Sequence, residues 1–205
     1  MTVRHLEFLV EEPSMEEFLR ELLPRLLPRD RTFAIHSFRG KPDLRSKLDE
    51  RLRGYSKWLP ADWRIVVMVD RDEDDCLALK AELEAAASRA GLRTRSMASG
   101  EPWQLVNRVV VQELEAWFFG DWQAVRGAYP RLSAATPKQS PYRNPDGIPR
   151  TWEVFERILK RHGYFSTGVR KREAARAIAA HLVPERNRSH SFGVFLDVIR
   201  EVSVP

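Results

Sequence analysis

Glu11, Asp70 and Asp72 are carboxylates set where two apolar runs end, a position from which side chains can do chemistry. Residues 5–10 (HLEFLV) run directly into Glu11-Glu12-Pro13-Ser14, and residues 64–69 (RIVVMV) run into Asp70-Arg71-Asp72. If both runs are strands of one parallel sheet, their carboxyl ends share an edge, and ligands of such sheets bind in the crevice there. An Asp-x-Asp in extended chain sends both side chains to the same side. Three carboxylates held together repel one another, and a divalent cation relieves that repulsion. Hard oxygen donors without Cys or His suit Mg²⁺ or Mn²⁺. Glu113 and Glu115, after a later apolar run, are candidates to extend the site as ligands of a second ion or as outer carboxylates.

The same residues have a plainer explanation. An Asp after a buried strand often caps the next helix, and Asp72 or Asp74 is placed to cap one over about 75–90. Helix dipoles favour acidic residues in a first turn, which accounts for Glu16, Glu17, Glu73 and Asp75. Glu113 sits near a helix start by the same argument, and Glu115 has arginines to pair with. Trp117 and Phe118 fall on an amphipathic segment and read as core.

Positioning these side chains takes alternating strands and helices. After the first strand, Phe18, Leu19, Leu22, Leu23, Leu26 and Leu27 recur at helical spacing, with Ser14 and Glu17 as a capping box and Pro28 and Asp30 as the stop. Residues 32–38 read as a second strand and about 43–57 as a polar helix. Residues 64–69 are β-branched and nearly continuous, as in a strand buried on both faces. A helix with Leu79, Leu83, Ala86 and Ala87 on one face follows, stopped at Gly91. Residues 92–97 and 107–112 read as further strands, and 113–119 as helix. The pattern predicts an α/β domain over residues 1–125 with a mostly parallel sheet flanked by helices. A polar linker loop covers 126–150, and 151–205 form a helical appendage packed on the first domain.

The chain has 205 residues, 43% of them apolar, enough for a real core. No apolar run approaches the roughly 20 residues that span a bilayer, and the N-terminus lacks a signal-peptide pattern. The expectation is a cytoplasmic protein with no membrane partner. Cys76 is the sole cysteine, which excludes an internal disulfide and a thiolate zinc cluster. The five histidines show no metal-ligand spacing, and no Walker A sequence is present. The formal charge of +5 is compatible with a phosphate-rich partner. Lys138 and Arg143, with Tyr142 between them, are candidates to contact a nucleic-acid backbone and stack on a base. Arg170, Lys171, Arg172 and Arg176 form a basic helical stripe, either phosphate-neutralising or an ordinary solvated face.

The segments Leu9-Val10-Glu11-Glu12-Pro13-Ser14-Met15-Glu16-Glu17-Phe18-Leu19 and Val66-Val67-Met68-Val69-Asp70-Arg71-Asp72 resemble the Toprim domain shared by topoisomerases, primases and OLD-type nucleases. The segment Val109-Val110-Val111-Gln112-Glu113-Leu114-Glu115-Ala116-Trp117-Phe118-Phe119-Gly120-Asp121 is similar to the Glu-x-Glu-x-Trp stretch of the bacterial domain of unknown function 4276 family, as is Ser189-His190-Ser191-Phe192. The resemblance implies a Toprim-like, Rossmann-like fold. It makes Glu11 a general acid/base or metal ligand and Asp70 and Asp72 metal ligands, with Glu16 matching a further glutamate. It implies a Mg²⁺- or Mn²⁺-dependent nuclease or phosphoryl-transfer enzyme in bacterial defence or mobile elements, working beside an ATPase on another chain. The chain departs from the motif at Glu12, where Toprim sequences usually have Gly. That change makes the turn less permissive and adds negative charge. It favours the alternatives: a non-catalytic module that binds nucleic acid, or a structural partner of the ATPase.

Overall fold

The computed structural model describes residues 2–165, 168 and 170–204. The apolar runs become strands β1 (His5–Val10), β2 (Thr32–Ser37), β3 (Trp63–Asp70) and β4 (Leu105–Val110). They form a four-stranded, wholly parallel sheet in the order β2-β1-β3-β4. Val10 lies beside Met68 and Asp70 beside Val110, so the carboxyl ends of the inner strands share one edge. β3 is interior and buried from Arg64 to Asp70, the environment its near-continuous apolar run requires.

Helices α1 (Pro13–Leu26), α2 (Lys41–Ser56) and α3 (Cys76–Arg89) make the crossovers. Alternate strand residues face opposite sides, and two cores result. Phe8, Val10, Val66 and Met68 pack with α1 on one face, and Leu9, Ile65 and Val67 pack with α2 and α3 on the other. Beyond β4 come α4 (Glu115–Gly120), α5 (Trp122–Ala128), short 3-10 turns between residues 136 and 147, α6 (Thr151–Arg161), α7 (Lys171–His181) and α8 (His190–Ser203). The C-terminal helices complete the α1-side core, which runs without a break from Val3 to Val202.

Helix α4 is buried on every side. Trp117 is its anchor, with ring centroids 5.6 Å from Phe18, 5.1 Å from Phe192 and 5.2 Å from Phe195. Gly120 ends the helix where a Cβ would lie 1.9 Å from Asn187 Oδ1. The Asn187 amide in turn donates to the Trp117 carbonyl at 2.9 Å, so this approach admits no side chain at 120.

Local expectations fail in four places, each for a physical reason. Helix α1 starts at Pro13, a residue well suited to a first helical position. Ser14 therefore lies inside the first turn and donates to the Glu12 carboxylate, and Glu17 pairs with Arg172, so no capping box forms. Asp75, not Asp72 or Asp74, caps α3, accepting the Ala78 N–H at 2.8 Å. The strand expected at 92–97 is reduced to one bridge, Thr94 to Leu105, because the Met97 N–H turns back onto the Thr94 carbonyl. β4 ends two residues early, as the chain leaves the sheet before Gln112 (φ 65°), and the next helix starts at Glu115 rather than at 113. No helix among the described residues is long and apolar enough to cross a membrane.

Candidate functional site

The carboxyl edge of the sheet gathers the acidic residues from three strand ends. β1 continues into Glu11, whose N–H bonds the Met68 carbonyl at 3.2 Å, and whose carboxylate accepts the Asp70 N–H at 3.0 Å. Burial pushes the Glu11 carboxyl up to about 7; the Lys41 charge opposes this, while Asp72 and Glu12 add to it. Asp70 closes β3 and is buried. Its pKa is raised well above the ordinary range by burial and by the negative charges of Glu11, Glu12, Glu115 and Asp72. The all-buried α4 carries Glu115 inward from the third strand end. Burial lifts its carboxyl to about 8 against the pull of Lys171, and its Oε2 has no hydrogen-bond partner among the described residues. No arginine is paired with it in an ion pair, contrary to the plain expectation.

Asp72 and Glu113 are placed differently from Asp70. Asp72 is not in extended chain: its φ is 50°, so the Asp-x-Asp does not present two side chains in strand alternation. Its N–H bonds the Gln112 carbonyl at 2.9 Å, so the loops after β3 and β4 run side by side. Its carboxylate lies 2.7 Å from Lys41 Nζ, which also reaches Asp74 at 2.9 Å and the Arg71 carbonyl at 3.2 Å. Lys41 is set at the first position of α2 by the Gly40 turn (φ 94°). Burial opposes its charge, but these carboxylates hold its pKa above the ordinary value. Glu113 accepts the Trp152 N–H at 2.7 Å and so caps the first turn of α6 rather than its own helix. Burial raises its pKa, and the Trp152 bond opposes that rise.

Beside these residues lies a cleft of about 610 Å³ lined by Lys41, Arg45, Arg71, Asp72, Glu113 and Arg150, among others. Three of its lining residues, Asp72, Gln112 and Arg150, have positive φ (50°, 65° and 50°). Such backbone is costly outside glycine and clusters at functional sites. Lys41, Arg45, Gln112 and Arg150 carried no sequence signal, since their side chains converge only through the fold.

The basic residues have separate fates. Lys171, at the start of α7, lies over the Trp152 ring (4.6 Å) and 3.7 Å from Glu12. Burial opposes its charge, and Glu115, Glu12, Glu113 and Asp70 raise its pKa. Arg172 and Arg176 pair with Glu17 and Glu21 of α1, so much of the stripe is an inter-helix contact rather than a solvated face. Arg170 is exposed and pairs with Glu173. Lys138 and Arg143 are exposed in the 3-10 turns, joined by an Arg143 bond to the Lys138 carbonyl. Tyr142 between them stacks on Phe119 at 5.6 Å, which commits its ring to the core side. Glu16 accepts from Ser37 and pairs with Arg20.

The acidic edge is a set of hard oxygen donors. Among the described residues, no three His, Cys, Asp or Glu side chains stand gathered as a ready ligand set. The nearest counter-charges are the Lys41 and Lys171 ammonium groups. No curated protein and no solved structure matches the chain. Residues 10–200 match the family described as a domain of unknown function, DUF4276, and the chain belongs to that family.

Proposed function

We propose that the sheet edge is the active site of a Mg²⁺- or Mn²⁺-dependent enzyme that hydrolyses phosphodiesters in nucleic acid, a nuclease of Toprim type. The observation that carries this reading is Asp70: a buried carboxyl at the end of the central strand, surrounded by Glu11, Glu12, Glu115 and Asp72. Protein folds seldom bury acids among acids unless a charge of opposite sign completes them. The residues fit a hard cation by donor type, and the partnerless Glu115 Oε2 is a lone pair free to accept one. Glu11, Asp70 and Glu115 would hold the ion, with Asp72 and Glu113 at its margin, once these side chains draw together. When bound, the ion would polarise a phosphate oxygen and offset charge in the transition state.

The chain's own groups have definite tasks in this reading. Glu11, with a pKa of about 7, is able to take a proton from an attacking water near neutral pH. Lys41, Arg45, Arg71 and Arg150 line the adjoining cleft and would bind the substrate's phosphates. Lys138, Arg143 and Arg170 are exposed and would serve only as outlying backbone contacts. The Toprim resemblance of the Glu11 and Asp70 segments supports the same assignment, and with it a role in bacterial defence beside a separate ATPase.

A second reading has its own support. Lys41 already neutralises Asp72 and Asp74, and Lys171 reaches Glu12, the residue that stands where the motif has Gly. A site internally neutralised in this way suits a non-catalytic module that binds nucleic acid or an ATPase partner.

Cleavage of plasmid and single-stranded DNA and RNA, with Mg²⁺ or Mn²⁺, separates the two. The parent chain should cut; Asp70→Asn should not, and Glu11→Gln should be slower by about 10²–10⁴-fold, both with the parent's circular dichroism. An Asp70→Asn protein that cuts as fast as the parent rejects the enzyme. Retention of nucleic acid without cleavage, weakening with salt along a linear log–log slope, supports the binding module.

A further inference from the structure

Away from the acidic edge, Lys80, Arg95 and Arg108 meet around a cavity of about 490 Å³ beside β4, lined also by Ser96, Trp103 and Glu201. None of its lining residues belongs to the carboxylate cluster. Arg108 projects from the middle of β4, and its Nη1 donates to the Asn107 carbonyl at 3.0 Å. Its Nε and Nη2 are buried and have no hydrogen-bond partner among the described residues. The nearby carboxylates are already engaged. Glu201 takes Arg95 Nε at 2.8 Å and Trp103 Nε1 at 2.6 Å. Glu84 takes Ser96 at 2.5 Å, Asn107 at 2.9 Å and Lys80 at 2.9 Å. Burial, and then the neighbouring Arg95 charge, lower the Arg108 pKa to about 10, which leaves it ionised at neutral pH.

A buried guanidinium with two idle donors is costly. The idle pair is also specific. Nε and Nη2 lie on one edge of the planar group, and that edge matches two oxygens of a single oxyanion. With Lys80 and Arg95 at the same cavity, the positive charge exceeds what one carboxylate would offset. A phosphate monoester, with nearly two negative charges at neutral pH, meets it better.

We propose that this cavity is a phosphate-binding site in which Arg108 Nε and Nη2 grip two oxygens side-on, with Lys80, Arg95 and Ser96 flanking them. The ligand is a phosphomonoester group, either free phosphate or the terminal phosphate of a nucleotide. The site stands independently of the nuclease reading, since its residues and its test lie apart from the acidic edge.

The test follows the Arg108 Nε–Hε resonance of the full chain by NMR in phosphate-free buffer. Sodium phosphate, AMP, sodium acetate and sodium chloride are added separately at matched ionic strength. A saturable shift with phosphate or AMP, and none with acetate or chloride, is expected. Saturation at lower AMP than phosphate concentration identifies a nucleotide as the source, and the reverse identifies free phosphate. Arg108→Met should fold, with a Tm in phosphate-free buffer equal to or above the parent's, because an orphaned charge is removed. It should lose the Tm rise that phosphate gives the parent. Arg108→Lys keeps the charge but not the fork and should bind at least about tenfold more weakly, a loss of about 1.4 kcal/mol. The proposal is overturned if the parent shows no saturable response to phosphate or AMP, if acetate saturates the site equally, or if Arg108→Met keeps the phosphate response.

Discussion

Glu115 and Glu84 are both drawn out of water, and their acidities move in opposite directions. Burial lifts Glu115 to about 8. Burial also works against the ionised form of Glu84, yet hydrogen bonds from Ser96, Thr94, Asn107 and Lys80 carry it down to about 2. The difference is donors. Glu84 ties α3 to the 94–96 segment and to β4, so its charge is part of what holds the fold together. Glu115 Oε2 has no donor at all among the described residues, and its neighbours include Glu12, Glu113 and Asp70. A carboxylate kept for stability is supplied with partners from its own chain; one kept without them is a place where something else can bind.

Metal addition gives the largest effect by which to break this comparison. At pH 8, Mn²⁺ at about 100 times its dissociation constant should stabilise the parent by about 2.7 kcal/mol. Differential scanning calorimetry should show that rise lost in Asp70→Asn but kept in Glu84→Gln. Equal responses in all three proteins would remove the distinction between the two regions.

Glu84→Gln comes next. It leaves Lys80 without its counter-charge and turns one acceptor oxygen into a donor beside Ser96, and should cost about 1–3 kcal/mol in urea unfolding. The parent's Glu84 stabilises where it is ionised. Its folded pKa lies below the ordinary 4.5, so that contribution is present above pH 4.5 and disappears as pH falls through about 2. The variant should therefore have a flatter acid limb between those values.

Glu115 has the opposite sign and, with the Lys171 attraction opposing its burial, the smallest effect. Its folded pKa of about 8 lies above the ordinary 4.5, so the protein is most stabilised by the protonated form below pH 4.5 and loses that contribution as pH rises through 8. In metal-free buffer, Glu115→Gln should melt a few degrees above the parent at pH 9 and at about the parent's temperature at pH 4.5. A variant that melts below the parent at pH 9 would mean that Lys171 makes the ionised Glu115 a stabilising partner after all.

Much of the frame was legible without the structure. The β1 and β3 runs, their parallel arrangement and the acids at their ends follow from apolar continuity over short stretches. The core role of Trp117 and Phe118 follows from spacing on one segment. The site itself was legible only in part. Asp70 stands at the edge as its position after β3 requires, but Asp72 is turned by its positive φ toward Lys41. Glu113 was read against its own helix, whereas it caps α6, a helix 39 residues away along the chain. Lys171 was read as part of a phosphate-facing stripe, whereas it faces Glu12 and Glu115.

Sequence by itself determined the order of strands and helices and which residue types sit at the strand ends, because period and polarity act over a few neighbouring residues. Tertiary structure alone decided which charges meet. The rotation of the fully buried α4, the seating of α7 on α1 and the paired paths of the loops after β3 and β4 are set by packing between segments far apart in the chain. Those contacts leave Glu115 without a donor, supply Glu84 with four, and strand two nitrogens of Arg108 beside an open cavity.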